Sequence, residues 1–110
     1  MRLPGGENVI IDDRKLGAYA LSPVHAEGKH KARVFAAAFG LRAGDAGVLH
    51  RALRDAARDG DATVLTVDQY GARFRIRFPF QYGGKSGTIN SSWIVPADGG
   101  RTRLITVFVD

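Results

Sequence analysis

The sequence has 110 residues and no cysteine. That absence excludes disulfides, iron–sulfur clusters, thiolate zinc sites and a cysteine nucleophile. Long apolar runs are also missing. The longest uncharged one, Val34 to Leu41, is far too short to cross a bilayer. The opening residues, Met1 to Ile10, lack an apolar core of signal-peptide length. There are no internal repeats, no low-complexity tract and no linker long enough to divide the chain. Acidic residues are absent from two stretches, Gly28 to Gly44 and Gln69 to Ala97. These absences lead to the expectation of one soluble, cytoplasmic domain over residues 1–110 that touches no membrane. With 45% apolar and 25% charged residues, such a chain buries enough surface to fold without staples.

What is present is positive charge. The net charge is +5, from 16 basic and 11 acidic residues, and arginines outnumber lysines. Arginine suits bidentate contact with phosphate. The first acid-free stretch carries Lys29, Lys31, Arg33 and Arg42, and the second carries Arg73, Arg75, Arg77 and Lys85. If the two meet in the fold they form one surface that attracts polyanions.

The periodicity sets the fold class. Val9 to Ile11 reads as a short extended run. Asp12 or Asp13 caps a short helix to about Leu21, which Ser22-Pro23 ends. Lys29 to Phe39 reads as a second helix, with Ala32, Phe35, Ala36 and Phe39 as its buried stripe and Gly40 as its stop. A third spans Asp45 to Asp59, capped by Asp45 and ended by Gly60. Its buried side is Leu49, Ala52, Leu53 and Ala56, and Arg51–Asp55 and Asp55–Arg58 suit a solvated face.

After Gly60 the period changes to 2. Strands are expected at Thr63–Val67, Ala72–Phe80, Thr88–Val95 and Arg101–Val109. The whole is α+β, with two or three N-terminal helices packed on one face of a four-stranded antiparallel meander. Phe74, Ile76, Phe78 and Phe80 alternate with Arg73, Arg75 and Arg77, so the arginines fall on the other, open face. Ile89, Trp93 and Val95 belong to the core, which puts Asn90 and Ser92 with the arginines. Strict alternation groups Thr102, Thr106 and Phe108 against Arg103, Ile105 and Val107, and Thr106 is assigned to the open face.

Three cations crowd the first turn of the second helix, the end where the helix dipole disfavours them. Either they extend into solvent or an anion sits there. Histidine exchanges protons near neutrality, so His30 is the candidate acid–base group. His25, upstream, could join it, and His50 reads as surface. No carboxylate stands at ligand spacing to these histidines, so no metal and no cofactor are expected. The three sheet arginines at spacing two repel one another with no acid nearby, which favours either solvation or phosphate. Gly83-Gly84-Lys85-Ser86-Gly87 lacks the full phosphate-loop spacing and reads as a hairpin turn.

Several segments together carry a resemblance: Leu3-Pro4-Gly5-Gly6-Glu7, Leu21-Ser22-Pro23-Val24-His25, Gly28-Lys29-His30-Lys31-Ala32-Arg33-Val34-Phe35, Tyr70-Gly71, Ser92-Trp93-Ile94-Val95 and Arg103 to Val109. The chain resembles, over nearly its whole length, a family of small bacterial domains of unknown function, seen alone and at the C-termini of toxin-like proteins. In layout it is similar to the barnase, EndoU, colicin and RelE-like ribonuclease toxins. That likeness implies a site in which a helix residue faces arginine and Ser/Thr residues of the sheet. His30, Arg75, Ser92 and Thr106 are the matching positions.

The expected function is a metal-independent endoribonuclease, toxin-like, with RNA as its partner. His30, Lys31, Ser92 and Thr106 would be catalytic. Lys29, Arg33, Arg73, Arg75, Arg77 and Asn90 would hold RNA phosphates. The alternative is a non-catalytic basic module that binds nucleic acid or an acidic immunity or antitoxin protein, with Tyr70, Tyr82 and Phe108 adding contact area.

Overall fold

The structure, a computed structural model, describes residues 1–16 and 29–110, apart from the Lys29 side chain. His25, the Ser22-Pro23 stop and most of the expected first helix lie outside the described residues. Three helices are described: α1 (Asp13–Lys15), α2 (Lys29–Phe39) and α3 (Ala46–Asp59). Four strands follow: β1 (Ala62–Asp68), β2 (Gly71–Tyr82), β3 (Lys85–Pro96) and β4 (Arg103–Val109). They form one antiparallel sheet in sequence order, β1-β2-β3-β4. The fold is α+β with a meander sheet. Among the described residues no helix is long and apolar enough to cross a membrane.

Helix α2 has the bounds that its apolar stripe dictates. Ala32, Phe35 and Phe39 are buried, and Gly40 ends the helix at φ 72°. Helix α3 buries Leu49, Leu53, Ala56 and Ala57. Asp45 stands at its N-cap, as expected, but its side chain makes no bond to the helix. The Asp45 carboxylate accepts from the Arg42 backbone N–H at 2.9 Å and closes a short 3-10 turn, Ala43–Asp45, ahead of the helix. On its outer face Asp55 pairs with Arg58 at 3.2 Å. Arg51 has no ion pair among the described residues, so the expected Arg51–Asp55 contact is not formed.

The strands β2 and β3 are longer than their apolar alternation suggested. Gly83 and Gly84, at φ 58° and 79°, make a two-residue turn of the kind that right-twisted strands favour. The expected loop Gln81–Gly87 is therefore mostly ladder, with Tyr82 opposite Lys85. One side of the sheet carries Phe74, Ile76, Ile89, Trp93, Leu104 and Val107, all in the core with Phe35, Phe39, Leu49 and Leu53. Ser91 is also on this side. Its hydroxyl donates to the Ile76 carbonyl and accepts from the Trp93 indole N–H, each at 2.9 Å. Tyr82 stacks beside Phe80 on this same helical side, which removes it from the arginine face.

The two sheet edges differ. Ile10 makes a parallel bridge to Arg103 and exchanges backbone hydrogen bonds with Thr102 and Leu104. The N-terminal segment thus covers the start of β4. Strand β1 is met only at its first residue, where the Ala62 N–H donates to the Met1 carbonyl at 2.6 Å; no described strand pairs with the rest of that edge, and only Ala62 of its residues is buried.

Candidate functional site

The register builds the site. Arg75 of β2 lies opposite Ser92 of β3, and Ser92 lies opposite Thr106 of β4. Directly opposite side chains share a face about 5 Å apart at Cβ, so the three form a row across the sheet on the side away from the core. Strict alternation along β4 fails at this point. A bulge at Ile105 lets Trp93 pair with Leu104 while Ser92 pairs with Thr106. Leu104 and Val107 therefore both enter the core, and Thr106 keeps its place in the row.

Lys31, in the first turn of α2, reaches this row. Its ammonium donates to the Thr106 hydroxyl at 2.6 Å and lies 5.9 Å from the centre of the Phe108 ring. Lys15 arrives from α1, and its ammonium donates to the Ile105 carbonyl at 3.0 Å. Burial, with the Lys15 charge second, holds the Lys31 ammonium below the usual lysine range. Two cations from separate helices thus meet at the bulge. The two acid-free stretches touch elsewhere, where the Lys85 ammonium donates to the Ala37 carbonyl at 3.2 Å.

The arginine stripe is not uniform. Arg73 pairs with Asp68 at 2.7 Å, and Arg77 pairs with Asp110. The expectation of three unrelieved cations is corrected here. The acids come from outside the acid-free stretch, Asp68 immediately before it at the β1–β2 turn and Asp110 after β4. Arg75, the middle arginine, is half-buried and has no carboxylate or hydrogen-bond partner among the described residues. Tyr70 backbone N–H and then Arg73 hold the Asp68 carboxyl below its ordinary range.

The remaining candidates are distributed as follows. His30 is exposed in the same turn of α2 as Lys31 and makes no hydrogen bond to a described residue. Arg33 is exposed and lies two residues beyond Lys31, on the opposite side of the helix. Asn90 lies in a second row, Arg77–Asn90–Phe108, beside the first. It is on the expected face, but it is 7% exposed rather than open. Tyr70 is exposed in the β1–β2 turn.

His50 departs from its reading as a surface residue. Its ring is three-quarters covered and held at both nitrogens, with Nδ1 at 2.8 Å from Asp13 Oδ1 and Nε2 accepting from Arg54 Nε at 2.8 Å. It fastens α1 to α3. Sequence reasoning missed this cluster and the bulge, and it also missed Lys15. Among the described residues no three His, Asp or Glu side chains stand close enough to hold a metal ion.

The fold and the comparisons agree. The chain is similar to a solved chain of the contact-dependent growth inhibition toxin–immunity protein complex from Klebsiella pneumoniae 342. The TM-score is 0.71 and the identity 19%, covering 92% of this chain and 99% of that one. At that identity the likeness establishes a shared fold. No curated protein sequence matches this one. A family profile matches residues 2–110, nearly the full length, and the chain belongs to the family described as domain of unknown function DUF6883.

Proposed function

We propose that this is a toxin-type domain that binds a phosphodiester of RNA on the row Arg75–Ser92–Thr106 and cleaves it without a metal. The observation that carries the reading is the contact between Lys31 and Thr106 beside Arg75, which has no carboxylate partner among the described residues and stands between two paired arginines. Arg73 and Arg77 are already paired, so the free positive charge of the stripe is concentrated at one point. A phosphate there would meet a guanidinium, two hydroxyls and an ammonium, all donors.

The chemistry follows from that set. His30, exposed in the turn that supplies Lys31, removes the proton of a ribose 2′-OH. The 2′-oxygen attacks the adjacent phosphorus, and the bond to the 5′-oxygen breaks. The leaving oxygen takes a proton from the Lys31 ammonium, whose lowered affinity for its proton suits that task. Arg75 and the Ser92 and Thr106 hydroxyls stabilise the charge on the phosphate oxygens. The products are a 2′,3′-cyclic phosphate and a 5′-OH. RNA is required because the 2′-OH is consumed.

A second reading is a basic face that an acidic immunity protein covers, with no chemistry. It is favoured by the name of the structural neighbour, a toxin–immunity complex, and by the net charge of +5. The experiment is incubation with total cellular RNA in EDTA, using wild type, Arg75→Ala and His30→Ala. Cleavage by wild type, lost in Arg75→Ala and leaving cyclic phosphate ends, supports the ribonuclease. Equal cleavage by His30→Ala removes the base assignment alone. No cleavage by folded wild type moves the reading to the acidic partner.

A further inference from the structure

Three polar residues of the described chain are buried: Asn90 at 7%, Ser91 at 0% and Thr102 at 3% exposure. Two have evident structural partners. Ser91 joins Ile76 to Trp93, and the Thr102 hydroxyl donates to the Pro4 carbonyl at 2.7 Å. Asn90 makes no side-chain hydrogen bond to a described residue. Among the described residues no side-chain polar atom is both sealed from solvent and unpartnered. The Asn90 amide therefore keeps a narrow opening to solvent while most of its residue is covered. Buried amides are ordinarily paired, because an unpaired one loses its water without compensation.

The surroundings of Asn90 are specific. By register it faces away from the core, between Arg77 and Phe108. Arg77 is held by Asp110 and so offers little free charge. Phe108 is 37% exposed and flanked by the Lys31 ammonium. The next row along the strand is Ser92 with Arg75 and Thr106, about 7 Å away by strand geometry. An uncharged amide with one donor and one acceptor end thus lies beside an aromatic ring, one step from a cluster of phosphate donors.

We infer that Asn90 and Phe108 form a nucleobase subsite, in which one unpaired base lies against the Phe108 ring and presents its edge to the Asn90 amide. The inference rests on the reading of the adjacent row as a phosphate site. An amide offers donor and acceptor side by side, which matches base edges and not a phosphate, an acceptor only. Aromatic rings take any base by stacking, so Phe108 supplies affinity and Asn90 supplies the choice of base. The requirement for an unstacked base makes the substrate single-stranded at that nucleotide.

The test is a set of binding titrations followed by amide NMR, with inorganic phosphate, ribose 5-phosphate and the four nucleoside 3′-monophosphates as probes. The expected result is that at least one nucleotide binds about tenfold more tightly than inorganic phosphate and moves the Asn90 side-chain amide signals. Asn90→Asp, which replaces the donor by a second acceptor, should change the ranking of the four bases. Phe108→Leu should lose the gain from the base and keep phosphate binding. Thermal melts of both variants guard against loss of fold. If phosphate binds and the bases add nothing, or if Asn90→Asp leaves the ranking unchanged, the subsite is refuted and the phosphate row stands. If neither phosphate nor any nucleotide binds the folded wild type, the row and the subsite fall together.

Discussion

Ser91 and Ser92 are neighbours with opposite duties, and their alanine variants should separate stability from function. Ser91 is fully buried and makes two hydrogen bonds of 2.9 Å, one to the Ile76 carbonyl and one from the Trp93 indole. Ser91→Ala removes about 1 kcal/mol for each bond and leaves an indole N–H without a partner in the core, worth about 1–3 kcal/mol more. The sum is about 3–5 kcal/mol, against a total stability of about 5–15 kcal/mol for such a domain. At about 4 °C per kcal/mol the melting temperature should fall by about 12–20 °C. Ser92 is half-buried, points to the other face and makes no hydrogen bond to a described residue. Ser92→Ala should change stability by less than about 0.5 kcal/mol.

Urea titration of wild type and both variants, with RNA binding measured on the same samples, is the assay. A cycle with Trp93→Phe sharpens it. With no indole N–H to strand, Ser91→Ala should cost about 1–3 kcal/mol less in that background. Equal losses for the two serines, or no coupling between Ser91 and Trp93, would refute both the assigned faces and the hydrogen-bond argument.

Three further predictions follow from the geometry. Asp68→Asn should free Arg73, raising affinity for RNA and steepening its salt dependence, as read by titrations at several salt concentrations. Lys31 loses its proton more readily than an ordinary lysine, so phosphate binding should weaken as pH rises through a range below the usual lysine value, and Lys31→Arg should flatten that limb of a binding–pH profile. Gly47, inside α3 with nothing within 4 Å of a built Cβ, should tolerate alanine with a gain of about 0.5–1 kcal/mol, whereas a Cβ on Gly6 would stand 2.0 Å from the Ala57 carbonyl oxygen. Gly6→Ala should therefore lower the melting temperature and Gly47→Ala raise it.

Local signals and long-range pairings were not equally legible in the sequence. The bounds of α2 were readable because an uninterrupted 3.6-residue stripe runs into a glycine. The arginine face was readable because Phe74 to Phe80 alternates without a break. Arg75 looked no different from Arg73 and Arg77, however. Their acids sit at positions 68 and 110, and only the register of the sheet brings them close. The bulge at Ile105 carries no glycine or proline to mark it. The contact of Lys31 with Thr106 spans 75 residues, and that of His50 with Asp13 spans 37. Neither separation leaves a periodic trace. The burial of Asn90 was hidden for a similar reason, since alternation assigns a face but not what covers it.

Met1 and Arg2 are tied to the junction of α3 and β1, but residues 4–10 are held by the last strand and the residues just before it. Ile10 bridges Arg103, Thr102 binds the Pro4 carbonyl, and Arg101 donates to the Asn8 carbonyl at 3.0 Å. Lys15 and Lys31 also donate to acceptors on β4. During synthesis the helices and the β1–β2–β3 hairpins emerge with their contacts close at hand, while Pro4, Asn8 and Ile10 must wait for β4 and the residues just before it. Assembly of the Lys31–Thr106 contact is then among the closing events of folding. A nascent chain still lacking β4 has the arginines but not the row, so whatever the row does stays silent until synthesis has passed Thr106.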